Sequence, residues 1–191
     1  MKCIYLDNNA TTPLDPRVYD GVEPYWKEFF GNPASSHDYG YKASAAILKA
    51  RKRVADLLGT KPLNILFSSG ATESNNMVIL GKAMKYLPRF NSAGAKDSSI
   101  HIITSSVDHK CILETCKRAA EWGAEITFLP VNQYGIIEVS ELKKAIRPNT
   151  RLVSLIFANN EIGSINPISE IGTLCRSKGI TFHTDAAQAV G

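Results

Sequence analysis

Four short segments of this 191-residue chain concentrate side chains that can bind or move charge. The first, Ser68-Ser69-Gly70-Ala71-Thr72-Glu73-Ser74-Asn75-Asn76, runs from an apolar stretch into a helical pattern. Open backbone N–H groups at a helix start, the positive end of its dipole and nearby hydroxyls make a cup for an anion. Gly70 and Ala71 let the backbone come close, and Thr72 adds its hydroxyl. Plain helix capping by Ser69 or Thr72 is the simpler alternative. The second, Ser105-Ser106-Val107-Asp108-His109, offers an imidazole that can stack on a flat ring or carry a proton, or merely occupy a surface turn. The third, Ala158-Asn159-Asn160-Glu161-Ile162-Gly163, holds two amides and a carboxylate able to orient a polar ligand, and is also rich in turn formers. The fourth is His183-Thr184-Asp185-Ala186-Ala187-Gln188. A carboxylate ending an apolar run costs free energy unless a cation or a hydrogen-bond donor meets it. A protonated ring nitrogen would meet it; an N-cap role for a following helix would also explain it.

These segments gain meaning from the elements that must position them. Apolar spacing predicts a helix over residues 41–58, stopped by Gly59, and a short buried strand at Ile65-Leu66-Phe67. Helix is then expected over residues 72–87, strand over 99–105, helix over 113–122 and strand over 125–131. Ser140 could cap a short helix through Ile146; residues 151–158 read as strand, 169–178 as helix ended by Gly179, and 180–184 as strand. Alternation of this kind implies parallel strands with right-handed crossovers and helices on both sheet faces. In such sheets ligands bind beyond the carboxyl ends of the strands, where the four segments fall. Residues 1–33 read as irregular and turn-rich, and 91–98 as a mobile loop.

Bulk properties exclude several classes. The chain has room for one ordinary domain, and its net charge of +4 is spread along its length. Its densest basic stretch, Lys49 to Arg53, fits a solvated helix face, so neither nucleic acid nor membrane is indicated as a partner. No apolar run approaches the roughly 20 residues a bilayer needs, and Asp7 interrupts any signal-peptide-like start. His37, His101, His109 and His183 lack metal-ligand spacing. Cys3, Cys111, Cys116 and Cys175 form neither a CxxC pair nor a disulfide scaffold. A reduced, cytoplasmic compartment is the default expectation, with an organelle matrix as the alternative.

Together, an anion cup, a ring-stacking His, a polar orienter and a carboxylate at the strand ends of one sheet match the needs of pyridoxal 5′-phosphate. The phosphate needs an anion site. The ring needs a flat neighbour, and its nitrogen needs an anion to stay protonated and accept electrons from a substrate carbanion.

The chain resembles the cysteine desulfurases, fold-type I pyridoxal-phosphate enzymes grouped with the class V aminotransferases, across essentially its whole length. The segments that carry the resemblance are Tyr5-Leu6-Asp7-Asn8-Asn9-Ala10-Thr11-Thr12-Pro13, Gly31-Asn32-Pro33-Ala34-Ser35, Ser69-Gly70-Ala71-Thr72-Glu73-Ser74, Asp108-His109-Lys110, Asn159-Asn160-Glu161-Ile162-Gly163 and His183-Thr184-Asp185-Ala186-Ala187-Gln188. The resemblance implies an α/β fold: the three-layer α/β/α large domain with a mainly parallel sheet. Residues 1–15 would belong with the family's small domain, and 16–191 would form part of the cofactor-binding large domain. It also implies roles. Ala71 and Thr72 would hold the phosphate, and His109 would stack on the ring and assist proton transfer. Asp185 would pair with the pyridinium nitrogen, and Gln188 would bond the ring hydroxyl oxygen. Asn160 would orient that hydroxyl or the substrate carboxylate.

The implied reaction removes sulfur from L-cysteine, leaving alanine and an enzyme persulfide for a sulfur acceptor or iron–sulfur scaffold protein; the family forms homodimers. The family's cofactor-bearing lysine, its persulfide-forming cysteine and its substrate-carboxylate arginine would lie past Gly191. Lys110 does not replace the lysine, because it follows the stacking His. On this reading the 191 residues are inactive alone, with open sheet edge and apolar surface, and are expected to be poorly soluble or partly unfolded. Two alternatives stay open: a selenocysteine lyase, against which His109-Lys110-Cys111-Ile112-Leu113 leans towards the sulfur branch, and a non-catalytic remnant or partner-binding module.

Overall fold

The computed structural model describes residues 3–90 and 99–190. The chain divides into two compact units, Met1–Phe67 and Ser68–Gly191.

The second unit is built on four parallel strands: β1 (His101–Ser105), β2 (Glu125–Leu129), β3 (Thr150–Ile156) and β4 (Thr181–Asp185), in the order β2-β1-β3-β4. Consecutive residues of a strand point to opposite faces, and the apolar residues divide accordingly. Ile102 and Leu152 join one core with Ile79, Ala83, Ile112, Cys116 and Ala119. Ile103, Val153 and Leu155 join the other with Ile137, Leu142, Ile171 and Cys175. The first face is therefore covered by α3 (Ala71–Tyr86) and α4 (Lys110–Glu121), the second by α5 (Val139–Ala145) and α6 (Ile168–Ser177). Each fully buried Ile or Leu contributes about 1.5–3 kcal/mol, so two-sided burial fixes the register of these short strands. His101, fully buried at the head of β1, ties three strands at their amino ends: its ring nitrogens lie 2.9 Å from Thr150 Oγ1 on β3 and 2.8 Å from Thr127 Oγ1 on β2.

The first unit carries α1 (Pro16–Lys27) and α2 (Asp38–Leu57). Helix α1 lies in the stretch expected to be irregular. Its turn-forming residues are in fact a helix start: the Asp15 side chain accepts from Arg17 N–H at 2.8 Å, and Pro16 occupies the first helical position, where its missing N–H costs nothing.

Ile65-Leu66-Phe67 also departs from expectation and forms no strand. Three residues need a neighbour's ladder to count as one, and none of the strands among the described residues pairs with them. The run is held from α2 instead. Arg51 donates to the Ile65 carbonyl and sets its guanidinium 5.1 Å from the Phe67 ring centroid. Ser140 sits inside α5, whose N-cap is Glu138. The loop expected at 91–98 lies outside the described residues.

Candidate active site

At the start of α3, where an anion cup is expected from sequence, the first turn is not closed by simple capping. Gly70 is the N-cap and has no side chain to close the first turn. Glu73 reaches back, and its Oε2 accepts both the N–H and the hydroxyl of Ser69 at 2.6 Å. These bonds hold the Glu73 carboxyl below its ordinary range. Neither Ser69 nor Thr72 caps the helix, which leaves the exposed first turn at Ala71 and Thr72 without a side-chain cap.

At the end of β1 the chain turns on a buried acid. Asp108 Oδ2 accepts the Ser105 hydroxyl at 2.6 Å, the Ser105 N–H at 2.9 Å and the Thr104 hydroxyl at 3.2 Å, while Oδ1 has no partner. Burial pushes this carboxyl up, and the Ser105 bonds offset part of the rise. The turn delivers His109 as the N-cap of α4: its Nδ1 accepts the Cys111 N–H at 3.2 Å and leaves the ring exposed. The Cys111 sulfur lies 3.0 Å from the same nitrogen.

The β4 end supplies Asp185, 7% exposed, with Oδ1 accepting the Ala187 N–H at 3.0 Å. Its Oδ2 accepts from Asn75 Nδ2 of α3 at 2.8 Å, and the same amide donates to Cys111 Sγ at 3.2 Å. Asp185, Asn75, Cys111 and His109 thus form one bonded chain across three elements. Gln188 is exposed in the turn after β4. Two residues before Asp185, the His183 imidazole is pushed down by burial against the opposing pull of Asp185, with its Nδ1 2.9 Å from Ser154 Oγ.

After β3, the two neighbouring amides differ. Asn159 is buried and structural: its Oδ1 accepts the N–H groups of Glu161 and Ile162, and its Nδ2 donates to the Val107 carbonyl at 2.9 Å, tying this loop to the one carrying His109. Asn160 is half-buried and donates to Glu161 Oε1 at 3.1 Å.

Asn75 has no role assigned from sequence, yet its position carries a signal. Asn75, Ile79 and Ala83 are the buried residues of α3, at i, i+4 and i+8, so a polar residue continues an apolar stripe. Cys116 and Cys175 are buried, which raises their thiols to about 12 and about 11 and makes them poor nucleophiles. Among the described residues no group of three or more His, Cys, Asp or Glu could hold a metal.

The family model for aminotransferase class-V matches residues 4–191. The chain belongs to the class-V aminotransferases. Within that family, this class-V chain is 48% identical over 191 residues to the mitosomal cysteine desulfurase of Encephalitozoon cuniculi (strain GB-M1), covering 100% of itself and 43% of that protein. It is 51% identical over 189 residues to the mitochondrial cysteine desulfurase of Arthroderma benhamiae (strain ATCC MYA-4681 / CBS 112371), covering 98% and 36%. A solved structure of SspA in complex with cysteine superposes with a TM-score of 0.90 at 40% identity, covering 97% of this chain and 51% of that one. The class-V chain thus spans under half the length of these curated relatives and about half of that solved structure. The parallel α/β architecture is the one the resemblance implied.

Proposed function

We propose that the chain forms the cofactor-binding part of a pyridoxal-phosphate-dependent cysteine desulfurase, which takes sulfur from L-cysteine, leaves alanine and passes a persulfide sulfur to an acceptor or iron–sulfur scaffold protein. The observation that carries this reading is Asp185. It is a carboxylate buried at a strand end, its bonds come from neutral donors, and among the described residues none of the ion pairs includes it. Such a group suits a cationic ring nitrogen. The residues present therefore fit pyridoxal phosphate, which when bound supplies an electron sink for a substrate carbanion.

In this reading Ala71 and Thr72 bind the phosphate through the uncapped first turn of α3 and the Thr72 hydroxyl. The exposed His109 ring stacks on the cofactor. Its Nδ1 is engaged by the Cys111 N–H, so the neutral ring carries its proton on Nε2, the atom at which a proton is held or passed on. Asp185 keeps a negative charge beside the ring nitrogen. Gln188 bonds the ring hydroxyl oxygen, and Asn160 orients that hydroxyl or the substrate carboxylate. Residues 1–15 belong with the family's small domain, and a full-length protein is a homodimer. The named relatives favour cysteine over selenocysteine as substrate, and their mitochondrial and mitosomal compartments favour an organelle matrix. No helix among the described residues is long and apolar enough to cross a membrane.

The test adds pyridoxal phosphate and L-cysteine to the 191-residue chain, following cofactor binding by fluorescence and alanine by chromatography. Saturable cofactor binding, at least tenfold weaker in Asp185→Asn, with no alanine formed is the expected result. Failure to bind the cofactor overturns the assignment, and steady alanine release overturns the claim that turnover needs more than these residues.

A further inference from the structure

Asn75 is 3% exposed and stands where α3, the start of α4 and the end of β4 meet. A carboxylate oxygen only accepts, so the amide nitrogen, not the amide oxygen, must face Asp185. That orientation fixes the second N–H on Cys111 Sγ, whose own hydrogen is then directed to His109 Nδ1, already an acceptor for the Cys111 N–H. Asn75 also lies four residues beyond Ala71, just over one turn and about 6 Å along the helix axis.

We propose that Asn75 is a positioning residue for pyridoxal phosphate, setting the Asp185 carboxylate and, through Cys111, the His109 ring, so that one helix orders both the phosphate end and the ring end of the site. This rests on the cofactor reading above. The residue type is part of the argument. A Lys or Arg at this place would neutralise Asp185 and compete with a cationic ring nitrogen. An apolar residue would leave the carboxylate buried with one donor fewer. A neutral N–H donor favours the ionised carboxylate while leaving its charge for the ligand. Among the described residues, His183, two residues back on β4, acts on Asp185 electrostatically, and Cys111 of α4 and its N-cap His109 are linked to it through Asn75.

The experiment uses 4′-deoxypyridoxine 5′-phosphate, a cofactor analogue that forms no covalent bond, with the wild-type chain, Asn75→Leu and Asn75→Ala. Absorbance against pH follows protonation of the bound ring, and inorganic phosphate competition follows the start of α3. Both variants should lower the pH at which the bound ring loses its proton, and weaken the analogue about tenfold with phosphate binding unchanged within twofold.

A purely structural role would weaken analogue and phosphate together and leave the pH at which the bound ring loses its proton in place; that result overturns the proposal. Should the variants fail to fold, the wild-type chain decides. Its Asn75 side-chain amide resonance must shift when the analogue binds, and an unmoving resonance overturns the proposal. A wild-type chain that does not bind the analogue refutes the cofactor reading and this inference together. Binding in the variants with the ring's protonation unchanged refutes the role of Asn75 alone.

Discussion

Asp108 and His109 are adjacent in sequence and opposite in environment. The Asp108 carboxylate is buried and takes three bonds on one oxygen, all from the end of its own strand, while the His109 ring is exposed. Asp108 shapes the turn that presents the histidine. Asp108→Ala would strand the Ser105 N–H and two hydroxyls in a buried site, at about 1–3 kcal/mol for each group left without a partner. Urea denaturation should show a loss of about 3 kcal/mol for Asp108→Ala and about 1 kcal/mol for Asp108→Asn, which keeps an acceptor oxygen. Equal losses would mean that the bonds are not what holds the turn. At this scale the sequence marks Thr72, His109 and Asp185 as candidates, because polar residues near the ends of apolar runs are visible by type and position, and Ala71 as the small residue beside them. It hid Asn75, whose partners lie 36 and 110 residues away, and it hid the reach of Glu73 to Ser69, a local bond that competes with ordinary capping.

The strands place two histidines under one physical rule. Burial pushes His101 and His183 below the ordinary imidazole value of 6.5. A lowered value means that the folded chain holds them neutral while the unfolded chain takes up protons. The stability they lend is therefore fully present above pH 6.5 and is lost as pH falls through 6.5 towards their folded values. Each group can contribute a slope of up to about 1.4 kcal/mol per pH unit. Chemical denaturation between pH 7.5 and 5 should show falling stability in the wild-type chain. His101→Gln should flatten part of that slope, and a slope unchanged by the substitution would remove His101 as its source. The elements themselves were largely readable, since β1 to β4 and α2 to α6 fall where apolar period and stop signals put them. The departures have physical causes. Asp15-Pro16 is a helix start that also looks like a turn, and Ile65-Leu66-Phe67 has strand composition without a strand to pair with.

Across the whole molecule, burial is unevenly shared between the two units, each taken by itself. The sheet unit has two closed cores. In the unit Met1–Phe67, Leu63 is 95%, Phe30 68% and Trp26 65% exposed. Contiguous exposed apolar surface drives association. Sedimentation velocity should show the 191-residue chain self-associating as concentration rises, and Trp26→Lys with Leu63→Lys should reduce it; a monodisperse monomer at high concentration would contradict this. The buried thiols give the same contrast a chemical form. Cys116 and Cys175 are shut inside the two sheet cores, whereas Cys3 is exposed and Cys111 half-buried. A brief pulse of a thiol-tagging reagent therefore writes the folding history of each molecule into its mass. Two tags mark a chain whose sheet stayed closed throughout the pulse, and four mark one that opened, so a single spectrum counts both populations.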